Sequence, residues 1–336
     1  DLVIANGAHG NALLAIGTGG GNFPFFTQVP AFGDVQTCEL TDLDGDGDLD
    51  LLLGIRPATG NDVIARYTNT NNGAFNGPFT LATLPKGNTD SIDRIQGEDL
   101  NADGFADVLV VQSRDSNISG AQVHIILSNG AGGFQPPVTM PLSQPPRNMW
   151  VGDLDADGLP DLVAALAESR NQGLGLTFQV PGVVFWGQPG GVPINSPATR
   201  QWLPGIIGSP LGSNYTSIPG TGLLVEDVNG DGLLDIMLQG FRLDEFGEPI
   251  PGQQVHTSLG GRAFAPPLTI PTSVGGEPIR IACGPGSSSA ICVASPGPLS
   301  AVFQRIPGGG LAMPVVTRLA APPGFVFLLD DLTGDG

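Results

Sequence analysis

Acidic residues recur in this chain at a spacing that suits one kind of chemistry. A nine-residue loop appears four times intact: Asp42-Leu43-Asp44-Gly45-Asp46-Gly47-Asp48-Leu49-Asp50, Asp99-Leu100-Asn101-Ala102-Asp103-Gly104-Phe105-Ala106-Asp107, Asp153-Leu154-Asp155-Ala156-Asp157-Gly158-Leu159-Pro160-Asp161 and Asp227-Val228-Asn229-Gly230-Asp231-Gly232-Leu233-Leu234-Asp235. A fifth copy is split, with Asp331, Thr333 and Asp335 at loop positions one, three and five and Asp1 where position nine would fall. A hard divalent cation takes six to eight oxygen ligands, and acids at positions one, three, five and nine of a tight loop supply them. Gly at position six permits the sharp turn that brings in the carbonyl of position seven, expected from Asp48, Phe105, Leu159 and Leu233. Asn101, Asn229 and Thr333 are neutral donors, so their loops should bind more weakly than the all-Asp loops that start at Asp42 and Asp153. A single such loop could be an ordinary turn, because Asp and Gly favour turns without metal. Five copies in one register favour calcium, since three or four crowded carboxylates repel one another when no cation is present.

The elements that carry these loops repeat as well. Four and two residues before each loop stand Cys38 and Leu40, Ile95 and Gly97, Met149 and Val151, Leu223 and Val225, and Phe327 and Leu329. This period of two indicates a half-buried strand. Directly after the loops come Leu51-Leu52-Leu53, Val108-Leu109-Val110, Leu162-Val163-Ala164, Ile236-Met237-Leu238 and Leu2-Val3-Ile4, the runs of strands buried on both faces. Each loop is therefore expected at a hairpin tip. Farther on, a short strand ends in a Gly-rich turn and a Phe, as in Asn129-Gly130-Ala131-Gly132-Gly133-Phe134 and Gly260-Gly261-Arg262-Ala263-Phe264. Loop starts lie 57, 54, 74 and 56 residues apart, with the extra length of the third unit expected within 188–215. Four strands per unit at that spacing predict an all-β fold, a β-propeller of six four-stranded blades (seven as the alternative) with the loops on one face.

One unit lacks the acids. Its loop, 283–292, carries Cys283 and Cys292 near its ends, which predicts a disulfide closing the hairpin and an oxidising compartment; two reduced core cysteines are the alternative. Cys38 is expected as a small buried hydrophobe.

Composition agrees with turns between many short strands: Gly 51 and Pro 31 among 336 residues, beside 40% apolar residues. With 32 acidic residues against 13 Lys and Arg, the net charge of −19 disfavours nucleic acid and anionic membranes as partners. No segment is apolar enough to span a membrane as a helix. About five calcium ions would bring the formal charge to about −9. At ~1 mM extracellular calcium and a Kd of ~0.1 mM, each site would contribute ~1.4 kcal/mol, so the ions act in folding.

The D-x-[DN]-x-D-G-x-x-D loop between two apolar strands, with its trailing N-G-x-G-x-F turn, resembles the FG-GAP or VCBS repeat, as in the propeller of integrin α-subunits. The resemblance spans the chain and implies calcium at positions one, three, five, seven and nine of each loop. It departs from the family at 283–292, and from the integrin pattern in showing six units. Members serve as adhesion heads, lectins, scaffolds and appendages of enzymes, so the fold does not fix an activity.

No enzyme constellation is visible. His9, His124 and His256 lie in separate units without ligand spacing, and Gly17-Thr18-Gly19-Gly20-Gly21-Asn22 lacks the Lys of a phosphate loop. The expectation is a non-catalytic extracellular or cell-surface module, structural or adhesive, whose partners are other copies of itself or other surface proteins. The alternatives are a glycan-binding lectin, with Trp186, Trp202, Tyr67 and Tyr215 as its candidate aromatics, and a propeller appended to a secreted enzyme. Asn117-Ile118-Ser119 and Asn214-Tyr215-Thr216 read as glycosylation acceptors. The cut between Gly336 and Asp1 falls inside a loop, so 1–336 is expected to be a single propeller and one period of a longer or tandem chain. Phe325 to Leu329 could complete the blade of a neighbouring copy and build a head-to-tail filament, against closure within one ring.

Overall fold

The computed structural model describes all residues except 1, 8–9, 19–21, 71–73, 88–89, 114–120, 131, 143–145, 167, 172–175, 180–181, 190–195, 197, 204–206, 212–222, 230, 244–248, 272–279, 284–289, 295–298, 307–309, 312–314 and 319–336. It describes the backbone alone for 147, 168–171, 176–179, 207–211, 239–243, 249–253, 269–271, 280–283, 290–294, 299–306, 310–311 and 315–318. The split fifth loop, both glycosylation acceptors, Tyr215, His9 and the 325–329 strand therefore lie outside the described residues. The described residues contain no α-helix, and the chain divides into two compact units, Asp1–Pro145 with Gly187–Thr199, and Pro146–Trp186 with Arg200–Gly336.

The first unit holds β1 (Leu2–Asn6), β2 (Asn11–Ile16), β3 (Phe25–Pro30), β4 (Asp34–Thr41), β5 (Asp50–Arg56), β6 (Asp62–Asn69), β7 (Phe75–Leu84), β8 (Ser91–Glu98), β9 (Asp107–Ser113), β10 (Ala121–Ile126) and β11 (Val138–Leu142). They form three antiparallel meanders, β1-β2-β3, β4-β5-β6-β7 and β8-β9-β10-β11. The apolar runs after the loops behave as their pattern requires. In β5, Leu51, Leu53 and Ile55 enter a core shared with Ala12 and Val29 of the first sheet, while Leu52 enters a second core with Ile92, Ile95, Val108 and Val110 of the third. Alternation along one strand thus feeds two interfaces, and the sheets stack face to face. Gly54 sits where the strands come close, since a Cβ there would lie 3.0 Å from Ile92 Cγ2 and 2.8 Å from Thr37 Cγ2. Cys38 is half-buried and not fully buried, packed against the core of the first two sheets with its thiol directed to the Val3 carbonyl at 3.9 Å. Tyr67 is buried and donates to the Pro30 carbonyl at 2.7 Å, which removes it from the candidate sugar-binding aromatics.

The second unit holds β12 (Pro146–Gly152), β13 (Asp161–Leu166), β14 (Glu168–Asn171), β15 (Leu176–Gln179), β16 (Gly182–Phe185), β17 (Arg200–Leu203), β18 (Ile207–Leu211), β19 (Leu223–Glu226), β20 (Asp235–Leu243), β21 (Pro249–His256), β22 (Leu268–Pro271), β23 (Arg280–Cys283), β24 (Ala290–Ala294), β25 (Leu299–Ile306), β26 (Gly310–Leu311) and β27 (Val315–Arg318). Its meanders are β12-β13-β16-β17, β19-β20-β21-β22 and β23-β24-β25-β27, with β26 pairing the far end of β25. The extra length of the third unit does not fall within 188–215 alone. It begins earlier, where the β13–β16 hairpin continues into β14–β15, and β18 pairs with that extension as a separate three-stranded sheet. Loop spacing locates surplus residues between two motifs, whereas strand pairing decides which connection takes them. Trp186 packs into this unit's core with Val163, Val184, Ile236 and Leu238. Trp202 remains exposed, with the Arg200 guanidinium 5.1 Å from its ring centroid.

Replacing Leu52 with Ala deletes a fully buried side chain and should lower the unfolding free energy by about 2–5 kcal/mol, read as an earlier midpoint in urea.

Candidate metal centre

Each intact loop occupies a hairpin tip between a sheet's first and second strands. The ladders close on Thr41↔Asp50, Glu98↔Asp107, Gly152↔Asp161 and Glu226↔Asp235. Inside the loops the acids fold their own backbone. The position-one carboxylate accepts the N–H of position six: Gly47 to Asp42 at 3.0 Å, Gly104 to Asp99 at 2.8 Å, Gly158 to Asp153 at 2.9 Å and Gly232 to Asp227 at 2.9 Å. The position-five carboxylate accepts the N–H of position seven, from Asp48, Phe105, Leu159 and Leu233 to Asp46, Asp103, Asp157 and Asp231, each at 2.9–3.0 Å. Position three does the same for position five, with Asn101 and Asn229 taking the N–H of Asp103 and Asp231 at 3.0 and 2.8 Å, and Asp155 taking that of Asp157 at 3.2 Å. Asx-type bonds of this kind hold the turn and aim the remaining oxygens toward its centre.

Position six adopts φ of 84–89° in all four loops, which glycine alone takes without strain. Position four is also left-handed, and there Ala102 (φ 61°) and Ala156 (φ 60°) stand where the first loop has Gly45.

Position nine carries a role that the pattern of acids does not show. Asp50, Asp107, Asp161 and Asp235 are all buried. One oxygen accepts the position-two N–H, from Leu43, Leu100, Leu154 and Val228 at 2.9–3.3 Å. In three loops the other accepts an N–H at the start of the Gly-rich turn after the third strand: Asn69 to Asp50 at 2.8 Å, Ser128 to Asp107 at 2.7 Å and Ser258 to Asp235 at 2.8 Å. The separation along the chain varies, at 19, 21 and 23 residues, so loop spacing does not reveal the bond; the signal in the sequence is the recurrence of a Gly-rich turn after each third strand. Since each carboxylate oxygen has two lone-pair positions, these bonds remain compatible with ligating a cation.

The oxygens do converge. One oxygen each from Asp42, Asp44 and Asp46 lies within 4.8 Å of the others, and so do oxygens of Asp153, Asp155 and Asp161. Asp44 Oδ1 is buried and has no hydrogen-bond partner among the described residues, an unfavourable state for a carboxylate that a cation would relieve. An all-oxygen donor set suits calcium or magnesium better than a soft metal. In the degenerate unit the β23–β24 ladder pairs Cys283 with Ile291 and Cys292 with Ala282, so the cysteines are not cross-strand partners; their side chains lie outside the described residues.

Crowding and burial shift the acids' titration. Burial pushes Asp107 up to about 6, helped by the charges of Asp103 and Asp99 and opposed by the N–H groups of Ser128 and Leu100. Asp235 is likewise raised to about 6, first by burial and then by Asp231 and Asp227, and burial also raises Asp50. Away from the loops, His256 is buried without a hydrogen-bond partner among the described residues, and burial lowers it to about 4. His124 lies between Thr139 Oγ1 at 3.0 Å and Gln112 Oε1 at 3.3 Å.

Two outcomes follow from this geometry. Because Asp107 and Asp235 bind a proton more tightly folded than unfolded, their contribution is fully present below about pH 4 and lost as pH rises through about 6. In EDTA the chain should therefore melt higher near about pH 5 than near about pH 7.5, a trend that excess divalent cation should flatten or reverse. Ala102→Gly and Ala156→Gly relieve left-handed strain and should each raise the unfolding free energy by about 0.5–1 kcal/mol, read as a later midpoint in urea.

Residues 42–110 and 99–164 each match the family model of the FG-GAP-like repeat, and no curated protein matches the chain. The matched spans contain three of the loops, the strands from β5 to β12 and the trailing turn at Phe134, while β4, which leads into the first loop, precedes them. The fourth loop, at 227–235, repeats the same bonds outside those spans. This chain carries FG-GAP-like repeats, two of them overlapping across residues 42–164.

Proposed function

We propose that the chain is a calcium-stabilised β-propeller of six blades that serves as a structural or adhesive module at or outside the cell surface. The observation that carries the calcium reading is the first loop, where Asp42, Asp44 and Asp46 bring oxygens within 4.8 Å of one another and Asp44 Oδ1 is buried without a partner. Calcium is expected in each acidic loop, about five ions in all, with the metal supplying the crosslink between hairpin strands that the carboxylates alone would oppose. The loop carboxylates are turned to their own backbone, which favours a structural over a catalytic role for the ions.

A protein-binding role is supported by the first sheet. Its Leu2, Ile4 and Phe26 are exposed on one face, with Phe26 at 63%, an apolar surface that suits a second copy or another surface protein. Head-to-tail addition of a strand to such a sheet would build a filament. Of the aromatics considered for sugar binding, Tyr67 and Trp186 are buried, so glycan binding is the weaker reading.

Chelation tests the calcium reading. The melting temperature should fall on adding EDTA and recover with calcium, and Asp44→Ala, which leaves no oxygen donor at position three, should remove one ion from the stoichiometry seen by calorimetry while shrinking the calcium-dependent rise. A melting curve indifferent to both EDTA and calcium would refute it.

A further inference from the structure

The third loop has the full set of acids, yet its charges are not free. Arg262 reaches it from the Gly-rich turn after β21, placing Nε 2.8 Å from Asp155 Oδ2 and Nη2 3.0 Å from Asp157 Oδ2. The other oxygen of each of these acids accepts a backbone N–H, from Asp157 and Leu159. All four oxygens at positions three and five are thereby engaged. In the second and fourth loops, Asn101 Nδ2 and Asn229 Nδ2 likewise donate to Asp103 Oδ2 and Asp231 Oδ2, each at 3.0 Å. The first loop differs, because Asp44 Oδ1 has no partner among the described residues.

The arm that carries Arg262 is built in detail. Its guanidinium lies 5.2 Å from the Trp186 ring centroid, and Trp186 stacks on Phe264 at 6.4 Å and donates from Nε1 to Gln201 at 3.2 Å. The turn closes through Leu259 N–H to Ala263 O at 2.9 Å, matching Asn129 N–H to Gly133 O in the first unit. By that match, and by the bridges Ser128↔Phe134 and Ser258↔Phe264, Arg262 occupies the place of Gly132. Gly132 has φ 72°, and Arg262 adopts the left-handed region at φ 40°, a conformation that is costly for a side chain with a Cβ. A bidentate reach to two carboxylates offsets that strain.

Resting on the calcium reading above, we infer that Arg262 is an internal counter-cation that holds the third loop together without metal and weakens divalent-cation binding there. The third loop then behaves like the Asn-containing loops despite its four acids, and the first loop is the tightest. Two roles are combined in one side chain. A guanidinium next to two ligating carboxylates repels an incoming dication and competes for the same oxygens, an effect on the order of tenfold in affinity for a partly exposed pair.

Trp186 provides the readout, since it touches the arm. In the full chain with Trp150→Phe and Trp202→Phe, Trp186 emission is followed during titration with calcium chloride, alongside melting curves in EDTA and in excess calcium. With Arg262→Gln, the calcium midpoint of the Trp186 signal should fall about tenfold, and the melting temperature should drop in EDTA but recover in calcium. Arg262→Lys, which keeps the charge and loses the fork, should leave the midpoint near that of the parent and serves where the Gln variant fails to fold. An unshifted midpoint in Arg262→Gln, or a tighter midpoint in Arg262→Lys equal to that of the Gln variant, overturns the role of Arg262 while leaving calcium binding intact. If calcium moves neither Trp186 emission nor any melting curve, the calcium reading falls and takes this inference with it.

Discussion

A buried aspartate at the ninth loop position is the constraint on which each repeat depends. Its carboxylate joins the hairpin tip to the turn that follows the third strand, because one oxygen holds the position-two N–H and the other, in three repeats, holds the first N–H of the trailing turn. These atoms belong to strands two apart in the sheet, so a single side chain sets how the strand ends line up. Burial raises the energetic cost of that carboxylate's charge, which the N–H groups offset only in part, as the raised titration of Asp107 and Asp235 reflects. A cation held by the neighbouring acids would compensate the rest. Order in the sheet and the charge that a cation would neutralise thus meet in the same atoms.

Stability away from the loops comes from strands that serve two cores at once. In β5, odd and even residues enter different clusters, and Val108 and Val110 of β9 complete the second core, while Leu109 and Val111 of the same strand are buried as well. Small residues set how closely the sheets approach, as at Gly54, and a fully buried polar group is tolerated where it is matched. Asp62 is such a case, held by Arg56 at 3.3 Å and by Gln112, whose Nε2 donates to Asp62 Oδ2 at 3.1 Å. Each sheet therefore needs a neighbour on both faces, and the first sheet, with Leu2, Ile4 and Phe26 exposed, has an apolar face to offer.

Arginines manage part of the negative charge without metal. Arg66 lies between the rings of Phe79 and Phe134, at 6.0 and 5.8 Å, and donates to the Gly132 carbonyl at 3.0 Å. Arg262 does the corresponding work over Trp186 in the second unit, but reaches carboxylates instead of a carbonyl. Aromatic support under a guanidinium fixes its position at low entropic cost, so a cation of this kind can be placed as specifically as a bound ion.

The residues themselves determined the hairpins, their loops and the two-sided burial of the strands that follow, because these rest on local rules: a period of two, a run without polar residues, and glycine where φ must be positive. The acids' convergence was legible for the same reason, since one tight turn fixes their mutual distance. Tertiary structure decided what depends on residues far apart in the chain. The bond from Asp235 to Ser258 spans 23 residues and the pair of Arg262 with Asp155 spans 107, so neither is implied by a loop's own sequence. Likewise, Trp186 became core instead of an exposed aromatic, and the extension of the third unit went into a paired hairpin, because packing and strand pairing are settled by which surfaces meet, which spacing along the chain does not specify.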